Sequence, residues 1–74
     1  MLRPEAIELM YELSTTTDLL TSATHINLQA YPDNQTRLIF HSMLDFEQRE
    51  LLRHLVKEKN FKLVECTNNV YIIY

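Results

Sequence analysis

The sequence predicts an α+β fold of αββαββ order, a four-stranded, mostly antiparallel sheet with two helices packed on one face. Three observations carry that prediction. Residues 3–14 and 45–59 repeat apolar side chains at helical spacing. Tyr31-Pro32-Asp33-Asn34-Gln35 and Asn68-Asn69 are hairpin turn signatures between extended segments. A chain of 74 residues holds one small domain, 1–74, with room for two layers.

The first helix should run from Arg3 to Ser14, with Pro4 in its opening turn. Glu5, Glu8 and Glu12 form one ridge, read as a solvated face. Ala6, Ile7, Leu9, Met10, Tyr11 and Leu13 fill the remaining circumference. That arc exceeds the roughly 100° stripe of a surface helix, so burial on more than one side is expected. Ser14 to Asp18 is rich in residues that favour caps and turns. Asp18 to Ala23 fits either one more helical turn or an extended lead-in.

The first hairpin can be registered residue by residue. A type I turn with Pro32 second, closed by Asn34 in a left-handed bulge, pairs Tyr31 with Gln35. Ala30 then faces Thr36, Leu28 faces Leu38, and Ile26 faces Phe40. The reverse side pairs Gln29 with Arg37, Asn27 with Ile39, and His25 with His41. A slip of one residue would scramble this segregation, so turn chemistry and pattern agree.

The second helix should span Asp45 to Lys59. Asp45 and Gln48 make a capping box, and Asn60 stands where a left-handed terminator belongs. Leu44, Leu51, Leu52, Leu55 and Val56 form its core stripe. Phe46 falls off that stripe, among Arg49, Glu50, Arg53 and Lys57.

Phe61 to Tyr74 reads as a hairpin closed by a two-residue type I′ loop at Asn68-Asn69, where both positions need positive φ. One face should hold Leu63, Glu65, Val70, Ile72 and Tyr74. The other should hold Val64, Cys66, Tyr71 and Ile73. The second strand does not alternate with polar residues, as a half-wet strand would. An oily ribbon on so small a body points to a second copy of the chain. Val64, Cys66, Tyr71 and Ile73, or the reverse face, are the expected self-association surface. Burying ~600 Å² there would contribute on the order of 15 kcal/mol before the cost of association.

Composition narrows function mainly by exclusion. The chain has no glycine, where ordinary usage gives about five. Glycine-rich phosphate cradles, dinucleotide fingerprints and nucleophile elbows all require that residue. The net charge of −3 advertises no polyanion partner. One cysteine, Cys66, allows no internal disulfide and suits a reducing compartment. With no signal-peptide order and no long apolar run, a cytoplasmic chain without membrane contact is expected.

Three kinds of chemistry attach to particular residues. His25 and His41, as cross-strand neighbours, could share one zinc ion, but no third ligand falls nearby, so no metal or other cofactor is implied. Glu65 is the one carboxylate in an apolar strand, facing Ile72, and reads as an edge-blunting charge. No nucleophile–base pair accompanies it, so the chain reads as non-enzymatic. Phe46 with Arg49, Arg53 and Lys57 has the composition of a protein-contact anchor.

The same basic face suits nucleic acid less well. Gln48 through the final hairpin resembles a small single-strand nucleic-acid-binding domain named for an Arg and a His four positions apart. Here Glu50 stands four before His54, Arg49 stands four before Arg53, and the glycine of that domain's last loop is missing. These departures remove the residues on which the implied nucleic-acid contact depends. The expectation is therefore a homodimeric accessory, inhibitor or adaptor protein, of the kind mobile elements and phages encode, with nucleic-acid binding as the alternative.

Overall fold

A computed structural model describes residues 1–74. The chain folds as α1 (Arg3–Thr15), β1 (Thr24–Ala30), β2 (Thr36–His41), α2 (Phe46–Glu58), β3 (Leu63–Glu65) and β4 (Val70–Ile73). The strands form one antiparallel sheet in the order β1-β2-β4-β3. The expected α+β class and element order are thus observed.

Helix ends follow local chemistry. The Glu5 carboxylate accepts from the Leu2 N–H at 2.8 Å ahead of α1. At α2 the capping box is formed: Gln48 N–H donates to Asp45 Oδ1 at 2.8 Å, and Asp45 N–H donates to Gln48 Oε1 at 3.0 Å. Such a cap satisfies donors that the first helical turn leaves free. Asn60, at φ 61°, ends the helix in place of glycine. Asn34, Asn68 and Asn69 also take positive φ, so asparagine supplies most of the left-handed geometry of a glycine-free chain.

The first hairpin matches its predicted register at Ala30–Thr36, Leu28–Leu38, Gln29–Arg37 and Asn27–Ile39. Tyr31 N–H donates to the Gln35 carbonyl at 2.8 Å, closing the turn. Beyond Asn27 the prediction fails. Thr24, not His25, pairs with His41, because β1 carries one extra residue there and His25 turns to φ 55°. This bulge removes Ile26 from its expected place opposite Phe40 and leaves it 43% exposed.

The second hairpin is also one residue out. Leu63 pairs with Ile73, Val64 with Ile72, and Glu65 with Tyr71. The loop holds three residues, Thr67–Asn69, closed by Cys66 N–H donating to the Val70 carbonyl at 2.8 Å. Both asparagines take the positive φ expected of them, but the added Thr67 reverses which side of β3 faces the core. Glu65 therefore faces Tyr71, not Ile72.

One core forms between the helices and the sheet. It joins Ala6, Leu9 and Leu13 of α1 to Leu52 and Val56 of α2, over Leu38 and Phe40 of β2 and Tyr71 and Ile73 of β4. Leu19 and Leu20 anchor the connection after α1, which runs through turns over residues 16–22. Two expectations for the helices change. Ile7 and Tyr11 are exposed, so α1 buries a single stripe, and Leu51 leaves the core stripe of α2 for the surface. A sheet with one core beneath two helices offers no second apolar layer to cover them.

Candidate functional site

Alternation along β2 and β4 sends one set of side chains inward and leaves the other set unburied. Leu38, Phe40, Tyr71 and Ile73 are buried, while Arg37, Ile39, His41, Val70 and Ile72 between them are only half-buried. Cross-strand pairing lines up Asn27, Ile39, Ile72 and Val64 in one row across all four strands. This is the open face of the sheet.

The expected self-association residues divide across the sheet. Tyr71 and Ile73 are 3% and 0% exposed, inside the core, and cannot present a surface. Val64 lies on the open face, and Cys66 is an exposed free thiol beside the loop. The one-residue difference in loop length separates them, because the two sides of β3 exchange roles. The reverse face of the hairpin is the exposed one, carrying Val64, Val70, Ile72 and Tyr74.

A cluster not apparent in the sequence closes one end of that face. The Arg37 guanidinium stands 4.7 Å from the Tyr31 ring centroid and 4.9 Å from the Tyr74 ring centroid. Two aromatic faces hold its plane. Its charge has no ion-pair partner, unlike those of Arg53 and Lys59. A hollow of about 440 Å³ opens beside it, bounded by Pro32, Asp33 and Gln35 as well as the two tyrosines. Arg37 and Tyr74 meet only because β2 pairs with β4, a tertiary event with no local signature.

The second expected surface lies on α2. Phe46 is 67% exposed, and Met43, three residues earlier, is also exposed. Arg53 spends its charge at home. Its Nε and Nη2 donate to the two Glu65 carboxylate oxygens at 2.9 and 3.0 Å, and Nη1 reaches Glu50. This bidentate pair ties α2 to β3 and holds Arg53 protonated above its ordinary range. Arg49 is partly buried, and its Nε has no hydrogen-bond partner. Of the expected partner-binding set, Phe46 and Lys57 remain free and exposed.

Glu12 is likewise not merely solvated. It accepts from Lys59 Nζ at 2.7 Å and raises the lysine's pKa. His25 and His41 rings meet edge to face with centroids 6.5 Å apart, and His41 Nδ1 lies 3.2 Å from Thr24 Oγ1. No group of three or more His, Cys, Asp or Glu is placed to hold a metal ion.

Burial pushes the Tyr71 phenol above its ordinary value, while the nearby Arg49 and Arg53 charges oppose the shift. The unfolded chain ionises this tyrosine near pH 10.0, before the folded chain does. The folded state then binds more protons, so stability falls as pH rises beyond that point. Melting temperatures across an alkaline series should drop, and Tyr71→Phe should flatten the drop. An unchanged slope in that variant would assign the loss to Lys59, whose raised pKa acts in the same direction.

No helix is long and apolar enough to cross a membrane. Compared with protein-family models, curated proteins and solved structures, the chain has no significant match.

Proposed function

We propose that this chain is a small non-enzymatic protein-binding module, homodimeric and cytoplasmic, that serves as an accessory, inhibitor or adaptor protein. The observation carrying this reading is the open face: Ile39, Ile72 and Val64 in one row across the strands, flanked toward one end of the face by Arg37 between Tyr31 and Tyr74. Tyrosine and arginine are enriched among the residues that carry binding energy in protein interfaces. An unpaired guanidinium beside an apolar row calls for a partner surface that is apolar and bears a carboxylate. The lone free thiol of Cys66 suits a reducing cytoplasm.

Photo-crosslinking tests the reading whatever the partner is. A photoreactive residue at position 72, in the cell of origin, should yield one reproducible adduct heavier than a homodimer. Arg37→Glu should remove it, and the same probe at the exposed Tyr11 should not give it. No adduct from position 72, or the same adducts from both positions, would overturn the proposal.

A further inference from the structure

The two edges of the sheet are protected unequally. At one edge, β3 has only three residues, follows Lys62, and carries Glu65 locked to Arg53. Short length and charge are the usual devices that stop an edge from pairing with another chain. At the other edge, β1 has seven residues, Thr-His-Ile-Asn-Leu-Gln-Ala, with no proline and no Asp, Glu, Lys or Arg. All but Leu28 are exposed. Outside the sheet itself, no backbone hydrogen bond involves residues 24–30. The N–H and C=O groups directed away from β2 are therefore unspent. Only the bulge at His25 and Ile26 interrupts this edge, and Asn27–Ala30 keep regular register with β2.

We propose that two copies of the chain join antiparallel along β1, about a two-fold axis, to make one eight-stranded sheet. A strand without charged side chains can face itself with no like charges opposed. Leu28, packed only partly against the core, then gains its own counterpart across the axis. Area supports the same occupant. At ~4.8 Å between strands and ~3.4 Å per residue, the open face covers at most ~400 Å². A stable protein interface takes about 800 Å² from each partner. Edge pairing places two open faces side by side and brings the shared surface to that size.

The inference rests on the reading as a dimeric module and names its interface. Sedimentation from micromolar to millimolar concentration should show a two-chain species. Asn27→Lys with Gln29→Lys places like charges across the axis and should halve the sedimenting mass, with the melting transition retained. Val64→Lys, in the same open-face row but on the opposite edge strand from β1, should leave the dimer intact while abolishing the crosslinked adduct from position 72. Amide exchange in the unmodified chain gives a second readout, with β1 protection rising with concentration. A chain monomeric at millimolar concentration, a dimer indifferent to the lysine pair, or one broken by Val64→Lys instead would overturn edge pairing. The crosslinking result would stand or fall separately.

Discussion

Phe40→Ala is expected to cost about 3–5 kcal/mol and to leave the chain largely unfolded under mild denaturing conditions. Phe40 is fully buried near the end of β2, the strand that pairs with both β1 and β4. Its ring stacks on Tyr71 with centroids 5.5 Å apart and planes 23° from parallel. Removing it takes away transfer energy and leaves a cavity that α1 and α2 cannot both collapse into. A domain of this length has a total stability of about 4–11 kcal/mol at the usual value per residue. One side chain thus carries a large part of the whole. Urea unfolding followed by circular dichroism would measure the loss, with Phe40→Leu, which keeps most of the apolar volume, as the milder comparison. A cost below about 1 kcal/mol would mean that the core lies elsewhere.

The sequence was most legible where two independent signals fell on the same residues. In the first hairpin, Pro32 and Asn34 set the loop, and apolar alternation in both strands agreed with it from Leu28 to Leu38. At α2, the Asp45–Gln48 reciprocal cap and the positive φ of Asn60 bracketed the helix. The second hairpin had one signal only. Asn68-Asn69 meets the φ demands of a two-residue loop and of a three-residue loop alike, and β4, oily throughout, could not choose between registers. A two-residue loop would leave Tyr71 and Ile73 on a surface with Glu65 opposite Ile72. The three-residue loop buries both and brings Glu65 opposite Tyr71, on the side where it meets Arg53. His25 gave no warning of its bulge, because a histidine at positive φ has no compositional marker of the kind glycine provides. The contact of Arg37 with Tyr74 depends on how the two hairpins dock, which neither hairpin encodes alone.

Arg49→Met should stabilise the fold by roughly 1–3 kcal/mol, the usual cost of a buried donor left without an acceptor. Arg49 Nε is enclosed and makes no hydrogen bond, in contrast to Arg53 one turn later, which meets carboxylates at Glu50 and Glu65. Position 49 falls on the helical stripe of Leu52 and Val56, which belong to the core, and methionine keeps an unbranched apolar stem there without burying a guanidinium. The same substitution should shift Tyr71 further upward, because the Arg49 charge is one of the groups that lower its pKa. Thermal unfolding of the variant and a spectrophotometric tyrosinate titration therefore test one arrangement by two routes. A variant less stable than the parent, with the Tyr71 titration unmoved, would mean that Arg49 is satisfied in the folded protein and lies away from the phenol. A more stable variant that loses the ability to bind its partner would instead give the unpartnered guanidinium a role, as a charge kept under-coordinated within the fold for use at an interface beside Phe46.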